Sequence, residues 1–552
     1  MPTGGALVVE GLERRRVPFV FGIPAVHNLP IYDALRASKH VRSVSVKHEQ
    51  AAGFMAIGYA YSTGKPATCV VGCGPGATNM LTPVGEAYLD SAPMLVIAGG
   101  IRTTSARKGG LHDIDQLSMF APVTKDARRL TDAGSLDARV EQAIEASASG
   151  RPRPVFLEVP FDVLSREVHT ERAEASPGTS PSKKSGAPEA VSLAAKALSR
   201  ASRPLIIAGG GVNNAEAWGE LANLAELLHS PVTSTISAKG AYPEDLPLSA
   251  GQLWDSVGLR AASEADVVLA VGCRFSERST ASWGLRFSGS LIQVDIDPDE
   301  IGRNYPAALG ISADAKEFLR AVSAEINPET SRERTGWAHE IQRARLERSV
   351  QVEKNLPSDG PIEPRAAVHE IAQALPEDAV VVAETGHAFW WPALMFQTRM
   401  PRSFLSPSGS STLGFGFPAA LGAKCARPER PVVCLAGDGG FTFTCQEIAT
   451  SVEERIPVVT VIFDDGGYAA IREYQRKGYG SRYIGVDFTI RPDFVKLAES
   501  LGADGVRVER LEDIGPALRG ALQASRTMVI DIEIGREEDV LPKFFTEIYR
   551  QR

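Results

Sequence analysis

At 552 residues, 43% of them hydrophobic, the chain is long enough to bury several cores and too long for one compact unit. Its formal net charge of -8, with acids and bases interspersed, leaves no basic stripe to grip a phosphate backbone, which argues against nucleic acid as a partner. No run of about eighteen apolar residues suggests a membrane span, the opening MPTGGALVVEGLERRR is the reverse of a secretory leader, and six cysteines without a CxxC indicate neither disulfides nor zinc. A cytoplasmic protein is the expectation.

Along the chain one pattern recurs: a short apolar, β-branched run, a glycine turn, then a helical period. The first block carries VPFVFGIPA (17–25), ATCVVGCGPGATN (67–79), APMLVIAGG (92–100) and PVFLEVPFDVL (154–164). The polar, Pro- and Ser-rich ERAEASPGTSPSKKSGAPE then reads as an exposed connector. PLIIAGGG (204–211), ADVVLAVGCRF (265–275) and LIQVDIDPDE (291–300) form a second block, followed by the polar RSVQVEKNLPSDGPIEP. A third block has AVVVAETG (379–386), PVVCLAGDGG (431–440), PVVTVIFDDGG (457–467) and MVIDIEI (528–534). Runs apolar throughout and followed by helices are strands of parallel sheets covered on both faces. The expected architecture is three doubly wound α/β domains, 1–170, 189–328 and 361–552, joined by linkers 171–188 and 329–360. In such sheets ligands bind past the carboxyl ends of the strands.

Two of those strand ends in the third block run into acid and glycine. In CLAGDGGFTF, Asp438 sits between Gly437 and Gly439, and in VIFDDGGY, Asp465 follows 27 residues on, about one strand-helix-strand unit away. Alone, a Gly-Asp-Gly is as readily a tight turn with a helix cap. Two acids at neighbouring strand ends repel unless a cation lies between them, and an all-oxygen set suits a hard ion such as Mg²⁺ or Ca²⁺ that shares its shell with phosphate. Bare glycine N–H groups suit the phosphate oxygens. The spacing therefore points to Asp438 holding a metal that holds a diphosphate.

GDGGFTF followed by FDDGGY resembles the motif of thiamine diphosphate enzymes, whose usual pair is Asn-Asn or Asn-Asp where this chain has Asp464-Asp465. By that resemblance Asp438, Asp465 and the Gly467 carbonyl are the ligands of Mg²⁺, with Gly437, Gly439, Gly440 and Tyr468 beside the cofactor. Other segments resemble the acetolactate synthase and benzoylformate decarboxylase branch of that family over essentially the whole chain. VKHEQAAGFMAIGYAYSTGKPA is similar to the segment that activates the cofactor and implies Glu49 for that role, the bland alternative being an acid favoured at a helix N-terminus. SPSGSSTLGFGFPAALGAK implies that Leu413 props the bent cofactor and that the Ser411 carbonyl lies near its amino group. AETGHAFWW implies a diphosphate loop at Gly386, His387 and Ala388. FGIPAVHNLPIYDAL and GLHDIDQLSMFAPVTKDARRL imply substrate loops with His27, His112, Gln116 and Phe120, His27 and Gln116 taking part in catalysis; His27 otherwise reads as a surface histidine.

The resemblance implies a homodimer or homotetramer with active sites between subunits, and a 2-oxo acid as small-molecule substrate. The acyl group left after loss of CO₂ would pass to a carbonyl acceptor, as in acetolactate synthase. A 2-oxo acid decarboxylase releasing an aldehyde, or an acyloin lyase of benzaldehyde lyase type, stands as the alternative. FAD is the open cofactor: the flavin-contacting GMHG of acetolactate synthases is absent from LSAGQLWDSVG, and their glycine pair is replaced by Ala25-Val26. Arg274 and Asp295 or Asp297 are candidate nucleotide contacts in the middle block, against an ordinary turn and ion pair. Two remoter readings are a non-catalytic paralogue and an NAD(P) oxidoreductase using GCGPGA, Gly72 to Ala77, with Asp90 downstream; the latter leaves both acid loops unused.

Overall fold

The computed structural model describes residues 1–106, 108–169, 184–327, 335–354 and 361–536. Three sheets of six strands carry the chain, and their paired strands run parallel. Numbered within each sheet, the first and third have the strand order 2-1-3-4-6-5, and the middle one 3-2-1-4-5-6. Successive residues of an inner strand feed opposite cores. Val70 and Leu95 join one cluster, while Val71 and Val96 join another. Leu205 and Ile206 divide likewise in the middle sheet, as do Val433 and Cys434 in the third. Burial on both faces is why these strands are apolar without alternation.

One cluster belongs to both outer sheets, joining Phe54, Met55 and Val96 to Phe415, Ala419 and Cys434. Its centre is the crossing of helices Glu49–Thr63 and Gly416–Ala426. Both are small-residue rich, and two glycines set how closely they approach. A Cβ on Gly58 would stand 2.0 Å from the Ala419 carbonyl oxygen, and one on Gly422 would stand 1.9 Å from that of Met55. Gly422→Val is therefore expected to part the two helices at a cost of about 3 kcal/mol, read as a lower midpoint of chemical unfolding. An unchanged midpoint would mean that the crossing has slack.

Edge strands are another matter. Arg42–Ser45 and Asp126–Arg129 close the first sheet, Ser249–Gln252 and Leu309–Ser312 the second, and Phe404–Leu405 and Asp504–Val508 the third. These are short, and most are polar and partly exposed. Part of the expected second linker is also structured. Thr335–Lys354 is a helix whose Trp337 and Ile341 are buried on the middle domain, with the Trp337 indole donating to the Pro204 carbonyl at 2.9 Å. Most of the expected linker 171–188 and the rest of 329–360 lie outside the described residues. Among the described residues no helix is long and apolar enough to cross a membrane.

Candidate active site

The third sheet places Asp438 directly after the strand Val432–Gly437, beside the parallel strand Val459–Asp464. Its side chain is buried, yet both oxygens are engaged. Oδ2 accepts from the Gly466 and Gly467 amides at 3.0 and 2.9 Å, and Oδ1 accepts from Gly439 at 2.8 Å. The two acidic turns thus grip each other through backbone N–H groups that glycine leaves uncovered. Asp464 Oδ1 also accepts from Gly466, at 3.1 Å, and Asp465 is buried alongside. Burial, then the charges of Asp465 and Asp464, push Asp438 well above the usual carboxylate range. Burial raises Asp465 to about 6, against the pull of His387 and Arg536.

Asp438 and Asp465, both pushed up by burial, make a site short of positive charge. No three His, Cys, Asp or Glu side chains among the described residues form a ready metal cage. Two carboxylates and a carbonyl here would hold a hard cation only with oxygens brought by a ligand, as Mg²⁺ prefers. The surroundings suit such a ligand. A cavity of about 1000 Å³ is walled by Gly386, His387, Ala388, Ser411, Leu413, Gly437, Asp438, Gly439, Gly440, Asp465, Gly467 and Tyr468, which are all the cofactor residues expected from the third block. Gly386, at φ +81°, turns the chain into helix His387–Met395, whose first two residues line that space. Space around Gly437 is open, with nothing within 4 Å of where a Cβ would be.

The residues expected from the first block gather elsewhere. Glu49 begins helix Glu49–Thr63, and its Oε2 accepts from Asn79 Nδ2 at 2.9 Å. Its Oε1 lies 3.3 Å from where a Cβ on Gly76 would be. Gln116 is buried, accepting from the Gly74 amide at 3.1 Å and donating to the Gly99 carbonyl at 3.4 Å. His27 and His112 face each other with ring centroids 5.4 Å apart, and the Nδ1 of each is buried without a hydrogen-bond partner. Burial, then His112, lowers the pKa of His27, so it stays neutral at physiological pH. None of these four lines the cavity of the third domain in this chain.

Phe120 is fully buried, its ring centroid 3.9 Å from that of Phe156, so it packs the core beneath its loop. Phe120→Ala is expected to cost about 3–5 kcal/mol of stability, read by chemical unfolding, with kinetic constants of the folded fraction little changed. A specific rise in KM without loss of stability would restore the substrate role.

Several site groups escaped the motif reading. Arg278, four residues after Arg274, donates to the Pro407 carbonyl and Ser411 Oγ at 2.8 and 2.9 Å. It lies over the rings of Phe389 and Trp390 and lines the cavity. Burial pulls its pKa down to about 10, and no carboxylate among the described residues pairs with it. His387 Nε2 lies 3.0 Å from the buried Glu473 carboxylate. Arg274 is spent on the Leu89 carbonyl and on Asp90 at 3.3 Å. Asp297 pairs with Arg151 at 3.3 Å, and Asp295, raised to about 6 by burial, accepts from the Asp297 amide. Arg274 and Asp297 are thus held in ion pairs, though Asp295 still borders a second cavity of about 730 Å³ beside Gly210 and Gly211. Asp90 also accepts from the Tyr61 hydroxyl at 2.6 Å, which leaves it no freedom to bind a ribose.

Comparison with known proteins agrees with this geometry. Three family profiles match in order: the N-terminal TPP binding domain of thiamine pyrophosphate enzymes over residues 2–119, their central domain over 191–322, and their C-terminal TPP binding domain over 384–532. A probable acetolactate synthase large subunit of Methanocaldococcus jannaschii is 37% identical, over 97% of this chain and 92% of its own. The acetolactate synthase large subunit IlvB1 of Mycobacterium tuberculosis is 35% identical, over 98% and 89%. A probable 2-ketoarginine decarboxylase, AruI of Pseudomonas aeruginosa, is 37% identical, over 96% and 94%. With three domain profiles in sequence and relatives matched end to end, the chain belongs to the thiamine pyrophosphate enzymes.

Proposed function

We propose that this chain is a thiamine diphosphate- and Mg²⁺-dependent carboligase that decarboxylates a 2-oxo acid and passes the acyl group to a carbonyl acceptor. The buried pair Asp438 and Asp465, at adjoining strand ends on a glycine-lined cavity, carries this reading. Bound thiamine diphosphate supplies a thiazolium that adds to a carbonyl carbon and accepts the electrons left when CO₂ departs. Asp438, Asp465 and the Gly467 carbonyl would hold Mg²⁺, which neutralises the acids that crowd each other. The turns Gly386 to Ala388 and Gly437 to Gly440 would lie against the diphosphate oxygens. Leu413 and the Ser411 carbonyl would set the bend of the cofactor.

Glu49 lies off that cavity in its own chain, which favours a homodimer or homotetramer in which a second copy brings Glu49 to it. There the carboxyl would hold a proton at a pyrimidine ring nitrogen. His27 and His112 would come with it, offering unpaired ring nitrogens to a carbonyl or carboxylate oxygen, while buried Gln116 braces the loop between them. Arg278 lines the cavity, has no carboxylate partner among the described residues, and would receive the carboxylate of the 2-oxo acid. Arg278→Met is expected to lower kcat/KM about 100-fold, mainly through KM, as loss of a buried charge partner does. Steady-state kinetics with saturating cofactor checks it, and an unchanged KM would release Arg278 from that role.

A cytoplasmic location fits the composition. The match to AruI favours, as second reading, a decarboxylase that releases an aldehyde. Pyruvate and bulkier 2-oxo acids, supplied with thiamine diphosphate and Mg²⁺, separate the two by product mass. A hydroxyketone supports ligation, an aldehyde supports simple decarboxylation, and no CO₂ from any of them refutes both. A flavin spectrum in the purified protein would add FAD.

A further inference from the structure

Helix Leu81–Asp90 of the first domain projects Glu86, a fully buried carboxylate with no salt bridge among the described residues, into the third domain. The backbone and hydroxyl donors that reach its oxygens lie on the segment that ends at Leu413. Oε1 accepts from the amides of Gly409 and Ser410 at 3.0 and 3.1 Å. Oε2 accepts from the Thr412 amide at 3.2 Å and from the Thr412 hydroxyl. One turn on, Asp90 accepts from the Ser408 amide at 2.7 Å. The far end of the segment is tied by Glu384, also buried, which accepts from the Gly416 amide at 2.8 Å.

What these carboxylates hold is a backbone that would not choose its shape. Ser411 has φ +53° and Gly414 φ +82°, both in the left-handed region, and only the second is a glycine. A side chain at Gly409 would collide with Leu89, its Cβ 2.5 Å from that of Leu89, so the segment lies tight on the helix that carries Glu86. Between the two anchors, Ser411 and Leu413 face the cavity. Burial, then the charge of Asp90, raises Glu86 to about 7, so what holds the segment is the number of its bonds: losing this acceptor strands several buried donors at once.

We propose that Glu86 is a positioning residue, the cross-domain clamp that fixes residues 408–412 so that the Ser411 carbonyl and Leu413 side chain stand ready for thiamine diphosphate. This rests on the cofactor reading given above. Glu384 completes the clamp from within the third domain. The bend of the cofactor is thereby set by contacts between two domains of one chain, before any ligand arrives.

Glu86→Gln keeps the volume but turns one acceptor into a donor that faces donors. In the full chain without cofactor, amides 408–412 are expected to exchange hydrogen about tenfold faster than in wild type, with the rest of the third domain unchanged. With saturating Mg²⁺, the Kd for thiamine diphosphate is expected to rise about tenfold, equal to about 1.4 kcal/mol. At saturating cofactor kcat is expected to fall while the KM for the 2-oxo acid stays within twofold. Thr412→Val, which removes only the hydroxyl contact, should show the same changes at a few-fold scale and serves if Glu86→Gln does not fold. Exchange and Kd within twofold of wild type would overturn the clamp, as would exchange accelerated evenly over the whole chain. Wild-type protein without affinity for thiamine diphosphate would instead overturn the cofactor reading, and the exchange result would still decide whether Glu86 fixes the segment.

Discussion

Glu49→Gln is expected to lower turnover by about 10²–10⁴-fold while leaving fold and cofactor affinity nearly intact. The substitution keeps the shape and the Asn79 contact, since an amide oxygen can still accept from Nδ2 at 2.9 Å. What it removes is the carboxyl that would hold a proton on a pyrimidine ring nitrogen, and proton transfer is the step that such a group speeds. Product formation measured at saturating thiamine diphosphate and Mg²⁺ reads the loss directly. A variant with near wild-type turnover would show that activation does not depend on this carboxyl. On the proposed arrangement, in which a second copy would bring the residue, mixing Glu49→Gln with Asp438→Asn protein is expected to restore part of the activity wherever subunits exchange. A protein whose sites are complete within one chain would show no such recovery.

Asp438→Asn is the second large effect. Outer partners of a metal ligand alone change affinity roughly 10- to 100-fold, so loss of the ligand itself is expected to weaken thiamine diphosphate binding by about 100-fold or more. The amide cannot replace the carboxylate even as a structural piece. Oδ2 accepts from two glycine amides and Oδ1 from a third, so an asparagine side chain in either orientation sets N–H against N–H. Charge offsets little of this. Burial and the neighbouring acids already disfavour the ionised form of Asp438 when no cation is bound, so a neutral residue removes little charge. The cation-free variant is therefore expected to melt no higher than wild type, and wild type alone gains thermal stability from Mg²⁺ with thiamine diphosphate. Thermal scans with and without the pair check both statements, and an equal gain in the variant would remove Asp438 from the metal.

These expectations were legible in the sequence because the third block states its chemistry in one dimension. Strand, glycine and acid follow one another at Asp438 and again at Asp465, and the parallel pairing of their strands brings the turns together. Inner strands were legible for a related reason, since burial on both faces makes them continuous apolar runs. Edge strands carry no such mark. Asp126–Arg129 reads DARR, and only its backbone bonds to one neighbour reveal it. The burial of Phe120 against Phe156 was not legible, because a loop motif does not record which way a side chain packs. Glu86 and Arg278 were not legible either: each acts on residues more than a hundred positions away, across a domain boundary that no local pattern records. His387 was found as part of a glycine loop, but its pairing with Glu473 waits on the helix Ala469–Tyr479 folding back over that loop.

Asp464, a third buried acid beside Asp438 and Asp465, adds negative charge to the cation site, and its Oδ1 is committed to the Gly466 amide at 3.1 Å. That bond makes it part of the turn that also carries Asp465.

Everything turns on a divalent ion joining the two acidic turns to a diphosphate. Calorimetric titration of the full-length protein with thiamine diphosphate, run once with excess Mg²⁺ and once with a chelator, measures this most directly. Tight binding with Mg²⁺, lost in the chelator and lost in Asp438→Asn, is the expected result. Absence of heat with Mg²⁺ present, or affinity that is the same in chelator, would contradict it.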